Sequence, residues 1–343
     1  MARVGDKPIL VTGSAGFIGF HVARRLLEDG HAVTGFDNVN DYYDVTLKED
    51  RLRILDTYPG YRNIRADLAD RAAVEAVFAE DDPAHVVNLA AQAGVRHSLK
   101  APRDYVSANI AGFLNILEGC RNGNVRHLLY ASSSSVYGGN RRMPFSVSDN
   151  VDHPKSLYAA TKKANELMAH AYSSLYGIPA SGLRFFTVYG PWGRPDMAMF
   201  LFLNAMKQGR PLDVFNHGDM QRDFTYIDDI VESIVRLMPK PPAPDADFDA
   251  MQPDPASSWA PHRVFNIGNS RKEDLMAVIR LLEKHAGITA QLNMLPMQPG
   301  DVAATWADTA ALEAVTGFTP DTDIAEGIAR FVRWYEDYYG GRG

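Results

Sequence analysis

Tyr158 and Lys162 combine residue types and a spacing that can move a proton. They are four positions apart near the start of a predicted helix, so both side chains lie on one helical face. A phenol, whose pKa is about 10, is a poor base at neutral pH, but a fixed ammonium beside it favours the phenolate and lowers that pKa. The pair therefore predicts a general base, although the same spacing also occurs on ordinary solvated helix faces.

A glycine-rich turn follows the first predicted strand, over 9–12, and opens the first predicted helix, over 17–29. Its glycines are Gly13, Gly16 and Gly19, spaced G-x-x-G-x-x-G. Gly13 permits the tight turn, Gly16 lets a pyrophosphate approach the backbone, and Gly19 allows close packing of helix on strand. The N–H groups and partial positive charge of the helix N-terminus would then face the phosphates of a dinucleotide.

Acidic residues at the ends of later strands supply the context that a glycine turn alone lacks. Asp37 ends the second predicted strand, where its carboxylate can accept both hydroxyls of an adenosine ribose. The same carboxylate would repel a 2′-phosphate, which favours NAD over NADP. Asp67 and Leu68, at the end of the third strand, suit an adenine edge. Together these features predict a dinucleotide site.

The first half of the chain alternates short apolar runs with longer helical patterns. This alternation predicts an α/β fold, with a parallel sheet covered by helices on both faces. The predicted strands are 9–12, 31–36, 63–66, 85–91, 125–131 and 180–186, and the predicted helices are 17–29, 74–80, 102–121 and 158–176.

After residue 186 the pattern becomes less regular. The segment 239–262 is rich in Pro, Asp and Ser, which predicts an exposed, flexible loop. Further helices are predicted at 197–208, 227–238, 272–286 and 323–339.

The composition excludes several classes of protein. The 343 residues carry a formal net charge of −7 and are 46% hydrophobic, which is typical of a soluble globular protein and offers no basic surface to nucleic acid. No apolar run is long enough for a membrane span and no signal peptide is evident, so a cytoplasmic protein is expected. The single cysteine, Cys120, fits a reducing compartment, and no histidine spacing indicates a metal site.

The motifs stand in an order that resembles the extended short-chain dehydrogenase/reductase family over nearly the whole chain. After the glycine turn come Asp37, Asp67, the segment 88–92, the serine run 132–135 and the Tyr158–Lys162 pair. Two later segments, 184–191 and 222–229, are similar to the NAD-dependent nucleotide-sugar epimerase branch. Within that branch the chain most resembles UDP-glucuronate 4-epimerases, and the stretches that carry this similarity are 37–44, 91–98, 132–135 and 190–198.

The resemblance implies a Rossmann-type, doubly wound parallel sheet with a smaller C-terminal α/β domain for the substrate. The helices around 102–121 and 158–176 resemble the pair that forms a four-helix interface in homodimers of this family, so a homodimer is expected. The implied domains are an NAD-binding domain at 1–188 and about 225–268, and a nucleotide-sugar-binding domain at 189–224 and 269–343.

The family's roles carry over residue by residue. Tyr158 would take the proton of the sugar 4-hydroxyl, Lys162 would hold the nicotinamide ribose and lower the Tyr158 pKa, and Ser133 would hydrogen-bond the same hydroxyl. NAD would accept hydride from carbon 4 and return it to the opposite face of the 4-keto sugar, so it would stay tightly bound. The other expected cofactor contacts are Ala15, Phe17, Ile18, Asn38, Leu89, Ala90 and Ala91.

A uronic acid substrate adds a chemical problem, because its 4-keto form is a β-keto acid that loses carbon dioxide readily. Hydrogen bonds that hold the carboxylate out of alignment with the carbonyl would suppress this loss. Ser134, Ser135 and Thr187 are the candidates, since small hydroxyls can hold a carboxylate without blocking rotation of the sugar.

The remaining substrate contacts are expected from charged and amide side chains. Arg222 resembles the family's diphosphate ligand, and arginine suits phosphate oxygens bidentately. Arg194 is either a further substrate contact or a surface charge near a loop hinge. Gln298 and Asp301 match a region where related hexose epimerases often carry Arg-x-Gly-Asp, so at Gln298 a neutral hydrogen bond would replace one charge.

Three alternatives stay open. A UDP-glucose or UDP-N-acetylhexosamine 4-epimerase would use the same machinery with a different sugar pocket. A dehydratase or decarboxylase typically has an acid beside the catalytic hydroxyl, whereas Ser133 is followed by Ser134. A catalytically silent NAD-binding scaffold would not need Tyr158, Lys162 and Ser133 all intact.

Overall fold

A seven-stranded sheet forms the centre of the computed structural model, which describes residues 7–297 and 303–340. Three small sheets, of two, three and two strands, accompany it among these residues. The described strands are β1 (Ile9–Thr12), β2 (Val33–Asp37), β3 (Tyr61–Arg65), β4 (His85–Asn88), β5 (His127–Ser133), β6 (Ala180–Phe185), β7 (Thr187–Tyr189), β8 (Leu212–Val214), β9 (Gln221–Arg222), β10 (Phe224–Tyr226), β11 (His262–Ile267), β12 (Glu273–Asp274), β13 (Leu292–Met294) and β14 (Ala304–Thr305).

Helices connect most of the strands of the central sheet. A π-helical turn, Val106–Ala111, joins the fourth and fifth helices, so a nearly continuous helix runs where 102–121 was predicted. The α-helices are α1 (Phe17–Glu28), α2 (Val45–Leu55), α3 (Arg71–Asp81), α4 (Pro102–Tyr105), α5 (Gly112–Asn122), α6 (Leu157–Tyr176), α7 (Ala198–Lys207), α8 (Ile227–Leu237), α9 (Leu275–Ala286), α10 (Ala310–Thr316) and α11 (Ile324–Gly340).

The central sheet has the order β11-β6-β5-β4-β1-β2-β3, and every neighbouring pair is parallel. The chain leaves β1 towards β3 on one side and resumes with β4 on the other, so the strand order reverses between β1 and β4. This is the doubly wound Rossmann-type topology that was expected. Ligands of such sheets bind in the crevice outside the carboxyl ends of the strands at the reversal point.

The sheet is apolar on both faces. Leu10 pairs in register with Val86, and Val11 pairs in register with Val87. Because side chains alternate along a strand, the first pair packs into one core cluster and the second into another. All four side chains are buried. Helices on both sides therefore exclude water from the sheet, as the continuous apolar runs predicted.

Two α-helices, α2 and α10, were not predicted, and α9 begins later than predicted. Helix α2 was not predicted, because its buried positions include the charged Lys48, Asp50 and Arg51, which interrupt the hydrophobic repeat. Helix α9 begins later than the predicted residue 272. Asp274 is its N-cap and accepts a hydrogen bond from Ala277 N at 3.0 Å.

The predicted loop 239–262 is irregular and mostly exposed as far as residue 255. Its last part differs, because Ala256, Ser258 and Ala260 are buried. Ser258 Oγ lies 2.7 Å from His170 Nε2 on α6, which fixes this end of the segment to the sheet domain. The flexibility of the exposed part stays a prediction.

Among the described helices, none has the length and apolar character that crossing a membrane requires.

Candidate active site

A cavity of about 1040 Å³ opens at the carboxyl ends of the central strands. This volume is at the upper end of ordinary ligand pockets, so it has room for a dinucleotide and a second nucleotide-sized ligand. Gln298 and Asp301 lie outside the described residues. The predicted site residues that line the cavity are Gly13, Gly16, Phe17, Ile18, Gly19, Asp37, Asn38, Asp67, Leu68, Leu89, Ala90, Ala91, Ser133, Ser134, Ser135, Tyr158, Lys162, Thr187, Arg194 and Arg222.

The glycine turn is a cradle that a side chain would fill. Gly13 has φ +73°, and a Cβ at this position would lie 2.8 Å from Ala90 N. A Cβ on Gly19 would overlap the carbonyl oxygen of Gly13. Glycine is therefore required both for the turn and for the close approach of α1, and the backbone stays accessible from the cavity.

Asp37 closes the adenosine end of the cavity. Its carboxylate accepts hydrogen bonds from Ala15 N at 3.0 Å and from Val39 N at 2.8 Å. Burial raises the pKa of Asp37, and these bonds together with the charges of Lys48 and Arg51 oppose that shift. Each carboxylate oxygen keeps a further lone pair for a ribose hydroxyl.

Ala15 differs from the other predicted cofactor contacts. It is completely buried, and it does not line the cavity. Its N–H is directed to Asp37 and its carbonyl oxygen accepts a hydrogen bond from Arg51 Nη1 at 2.8 Å. Ala15 therefore supports the glycine turn from behind.

The catalytic candidates converge from two elements. Ser133 is the last residue of β5, and Tyr158 lies in the first turn of α6, whose N-cap Ser156 accepts a hydrogen bond from Ala159 N at 3.1 Å. The Ser133 hydroxyl hydrogen-bonds the phenol of Tyr158. One turn later, Lys162 Nζ donates to the carbonyl oxygen of Ala131 at 3.0 Å.

The electrostatics of Tyr158 differ from the sequence expectation. Burial raises the pKa of Tyr158, and the hydrogen bond from Ser133 and the charge of Arg194 oppose this rise. Lys162 was expected to lower the Tyr158 pKa, but its ammonium donates to the backbone carbonyl of Ala131, and the groups that favour the phenolate are Ser133 and Arg194. Burial lowers the pKa of Lys162 itself to about 8.

A buried ion pair lies behind the serine run. Arg184 Nε and Nη2 donate to the two carboxylate oxygens of Glu166 at 2.8 and 3.0 Å, and Ser132 Oγ donates to Glu166 Oε1 at 2.7 Å. Burial alone would raise the Glu166 pKa, but Arg184 holds it below its usual value. Ser132 is therefore part of the scaffold that fixes β5 against α6, while Ser133 faces the cavity.

Arg194 lines the cavity, and a contact between Arg194 and the substrate stays a prediction. Its guanidinium pairs with Asp196 through two contacts of 3.0 and 2.5 Å. The Tyr42 hydroxyl donates to the same carboxylate at 2.9 Å, so the loop before α2 closes over this ion pair. Arg222 also lines the cavity, and its Nη1 donates to the carbonyl oxygens of Gln221 and Ala303 at 2.9 and 3.1 Å.

Comparison with known proteins places the chain in a family. The model of the NAD dependent epimerase/dehydratase family matches residues 9–268. This chain belongs to that family.

The chain is similar to known proteins over nearly all of its own length. A probable UDP-glucuronate 4-epimerase of Rhizobium meliloti (strain 1021) is 51% identical over 336 residues, which cover 96% of this chain and 97% of that protein. UDP-glucuronate 4-epimerase 1 of Arabidopsis thaliana is 43% identical over 348 residues, which cover 98% of this chain and 79% of that protein. The structure of UDP-glucuronic acid 4-epimerase from Bacillus cereus in complex with UDP-glucuronic acid and NAD matches with a TM-score of 0.84 at 31% identity, covering 97% of this chain and 100% of that one.

Some residues at the site were not identified from the sequence, because they belong to no recognised motif. Glu166 follows Lys162 by four residues, and this helical spacing could have identified it. The far end of the cavity, by contrast, is lined by scattered apolar residues that resemble ordinary core, namely Leu201, Phe202, Leu212, Phe215 and Met220. Within residues 7–297 and 303–340, no three His, Cys, Asp or Glu side chains come together as a metal site.

Proposed function

We propose that this chain is an NAD-dependent UDP-glucuronate 4-epimerase, which interconverts UDP-glucuronate and UDP-galacturonate through a 4-keto sugar. The observation that carries this proposal is the meeting of Tyr158, Ser133 and Lys162 in one cavity with a glycine cradle at its other end. The similarity to proteins named UDP-glucuronate 4-epimerase supports the choice of sugar.

The residues present fit NAD. The glycine cradle leaves backbone N–H groups at the start of α1 accessible to a pyrophosphate. Asp37 would offer oxygen lone pairs to ribose hydroxyls. Asn38 Nδ2 donates to Asp67 Oδ2 at 2.8 Å, which joins the ends of the second and third strands where the cavity would receive the adenine. Lys162, which lines the cavity, would hold the nicotinamide ribose. When bound, NAD would oxidise carbon 4 and then reduce it from the opposite face.

Tyr158 and Ser133 handle the proton. As the phenolate, Tyr158 would accept the proton of the sugar 4-hydroxyl as carbon 4 is oxidised, and as the phenol it would return that proton as carbon 4 is reduced. Ser133 fixes the Tyr158 oxygen by the hydrogen bond that the two side chains already share. The edge of the Tyr105 ring packs on Tyr158 at a centroid distance of 6.0 Å and keeps bulk water from that side.

Ser134, Ser135 and Thr187 are proposed to hold the carboxylate of the uronic acid. All three line the cavity beside Ser133. Ser134 and Ser135 begin the 3₁₀ turn Ser134–Tyr137, and Ser133 Oγ accepts a hydrogen bond from Ser135 N at 3.1 Å, which fixes that turn. Three short hydroxyls leave space for the ring to rotate while the carboxylate stays bound.

The proposed role of these hydroxyls has its own test. Ser134→Ala or Thr187→Ala should raise the amount of UDP-pentose formed from UDP-glucuronate, because a freer carboxylate aligns with the 4-keto group and is lost as carbon dioxide. Ser148→Ala, in an exposed turn, is the control and should give only hexuronates. Epimerisation without by-product in both cavity variants would exclude the clamp.

The function is tested by incubating purified protein with UDP-glucuronate without added NAD and separating the products. UDP-galacturonate is the expected product, and its formation would also show that NAD is purified with the protein. UDP-pentose alone would identify a decarboxylase. With no change in UDP-glucuronate, UDP-glucose and UDP-N-acetylglucosamine with added NAD would test the hexose and N-acetylhexosamine alternatives.

We also propose the two-domain division, with 1–188 and about 225–268 binding NAD, and 189–224 and 269–343 binding the nucleotide sugar. It is supported by strand pairing, because β11 joins the central sheet whereas β9 pairs with β12 and β14. Arg222 on β9 would then meet the diphosphate from the substrate side.

A homodimer is proposed from the outer faces of α6 and of the helix formed by α4 and α5. Val106, Leu114, Leu167 and Leu175 are exposed there, with 50%, 40%, 60% and 70% of their surface accessible. Apolar residues that recur along two adjacent helix faces are typical of a helix-pair interface. The cytoplasm is the proposed compartment, and it is consistent with the buried, unpaired Cys120.

A further inference from the structure

Arg51 is a fully buried cation on α2. Its Nη1 donates to Ala15 O and to the Tyr43 hydroxyl, both at 2.8 Å, and its Nη2 donates to Trp192 O at 2.6 Å. In the part of the chain that the structure describes, no carboxylate forms a salt bridge with Arg51, and Arg51 Nε has no hydrogen-bond partner. Buried guanidinium groups are ordinarily paired with a carboxylate, so this arrangement calls for a reason.

The carbonyl groups that Arg51 binds belong to two separate loops of the cavity. Ala15 is in the glycine turn, between Gly13 and Gly16. Trp192 belongs to the turn that directly precedes Arg194. The planar guanidinium fork holds both loops at once through separate Nη1 and Nη2 donors, a spacing that the compact ammonium of lysine does not reproduce.

The turn at Trp192 is strained and firmly held. Trp192 has φ +61°, in the left-handed region that bulky side chains rarely adopt. Its ring packs against Trp334 and Tyr338 of α11 at centroid distances of 5.4 and 5.0 Å. His21 Nε2 donates to Pro191 O at 3.0 Å, since the carbonyl can only accept. Strain of this kind persists only where the surroundings enforce it.

This turn sets the charges on the sugar side of the cavity. Arg194 and Asp196 follow it directly, and both line the cavity. Their charges reach Tyr158, where Arg194 favours the phenolate and Asp196 opposes it. A shift of the Trp192 turn would therefore change both the shape of the sugar pocket and the field at the phenol.

We propose that Arg51 is a positioning residue that couples the cofactor turn to the sugar side of the cavity. A dinucleotide pyrophosphate on the glycine turn would add negative charge near the unpaired guanidinium and fix the Ala15 carbonyl. Through Arg51 it would fix the Trp192 turn and hence Arg194. Each ligand then binds more tightly when the other is present, and the factor is the same in both directions. This inference rests on the proposed function, since it takes NAD and UDP-glucuronate as the ligands.

The coupling is measured as the ratio of UDP-glucuronate dissociation constants of protein stripped of NAD and of the same protein reloaded with NAD, determined by calorimetry. The Tyr158→Phe background prevents turnover during the titration. With Arg51 present, NAD should tighten UDP-glucuronate binding by about tenfold, within the usual range for coupled sites. Arg51→Met should reduce this factor to below about twofold, and the NAD content of the purified protein should fall.

Two further variants separate coupling from support of the fold. Arg51→Lys keeps the charge but reaches one loop only, so its coupling should also fall to about twofold or threefold. Arg53→Met, on the exposed side of α2, is the matched control and should keep the full factor. Melting temperatures of all variants show which ones are folded, and Arg51→Lys decides the matter if Arg51→Met does not fold.

Full coupling in a folded Arg51→Met or Arg51→Lys variant would overturn the proposal, even with a lowered melting temperature, because it would leave Arg51 a purely structural role. Absence of coupling with Arg51 present would overturn it as well. If the unsubstituted protein does not epimerise UDP-glucuronate, the proposed function fails separately, and the effect of NAD on UDP binding then decides the coupling.

Discussion

At the scale of single residues, the pKa of Tyr158 is subject to opposing influences. Burial disfavours its phenolate, whereas Ser133 and Arg194 favour it. The protonation of Tyr158 therefore depends on the groups that surround its oxygen, among them the Ser133 hydroxyl and the Arg194 guanidinium. This arrangement suits a base that must act only inside a closed site.

Tyr158→Phe should lower kcat by roughly 100-fold to 10,000-fold, the usual contribution of a general base. The melting temperature should stay close to that of the unsubstituted protein, because only the hydroxyl is lost. Tyr172→Phe, which removes a hydroxyl that donates to Glu118 near the other end of α6, is the control and should keep kcat. Product formation from UDP-glucuronate measures both, and an active Tyr158→Phe variant would remove Tyr158 from the mechanism.

Glu166→Gln should destabilise the protein by about 3–5 kcal/mol, because Arg184 would be left buried without its countercharge. Denaturant unfolding measures the change. Glu75→Gln breaks only the exposed pair with Arg71, so it should cost no more than about 0.5 kcal/mol. Equal losses of unfolding free energy in the two variants would show that the buried ion pair stabilises the protein no more than the exposed one.

The candidate catalytic residues could be predicted because their types and spacing carry the chemistry. Tyr158, Lys162 and the glycines of the turn can be recognised in the sequence by residue type and spacing, and all of them line the cavity. The effect of Lys162 on Tyr158 could not be predicted, since it depends on where the ammonium points. Nothing in the sequence shows that Lys162 Nζ donates to the carbonyl oxygen of Ala131.

At the scale of elements, the Rossmann strands were predictable and α2 was not. Strands such as β1 are uniformly apolar because both faces of the sheet are covered. Helix α2 instead buries Lys48 and Arg51 against polar groups of the cofactor turn and its neighbouring loops. A hydrophobic repeat identifies a helix that packs on an apolar core. A helix whose buried side chains bind carbonyl groups lacks that repeat, so the sequence pattern does not identify it.

Ser156→Ala should lower the free energy of unfolding by about 1 kcal/mol, the usual cost of losing an N-cap. It should also lower kcat roughly tenfold, because the first turn of α6 carries Tyr158 and small displacements of reacting groups are costly. Asp70→Ala removes the N-cap of α3, which accepts from Ala73 N at 3.2 Å, at a distance along the chain from the catalytic residues. It should reproduce the loss of stability with unchanged kcat; equal kcat in the two variants would contradict this view.

At the scale of the whole molecule, the exposed apolar residues of α6 predict association. Leu167→Arg should convert the proposed dimer to monomers, because a charge at the centre of an apolar helix face cannot be desolvated cheaply. Light scattering after gel filtration gives the mass. Met251→Arg is the control, because Met251 is exposed and does not line the cavity, and this variant should leave the mass unchanged.

Buried histidines make the whole fold sensitive to acid. Burial lowers the pKa of His127 from 6.5 to about 4. Its Nδ1 donates to Met238 O at 2.9 Å, and its Nε2 accepts from Ser181 Oγ at 2.9 Å, so a second proton would break the latter bond. Below pH 6.5 His127 binds a proton in the unfolded chain but not in the folded chain. The free energy of unfolding therefore falls as the pH falls from about 6.5 to about 4.

His127→Gln should therefore weaken the pH dependence of stability. Between pH 7 and pH 5, the loss of unfolding free energy should be about 2 kcal/mol smaller than in the unsubstituted protein. Denaturant unfolding at the two pH values measures this loss for each protein. Because the loss is a difference between two pH values, any effect of the substitution that does not depend on pH cancels. His153→Gln, at an exposed position, should follow the unsubstituted protein. An unaltered slope for His127→Gln would mean that His127 does not resist protonation in the folded state.

The aromatic wall around Trp192 has a consequence for how the protein is made. Trp334 and Tyr338 belong to α11, and Tyr338 also donates to Asp50 on α2, a residue made near the beginning of synthesis. The strands of the central sheet leave the ribosome well before α11 and can assemble first. The Trp192 turn gains its support only when α11 arrives. We therefore expect a nascent chain to acquire its nucleotide fold early and a competent sugar pocket last.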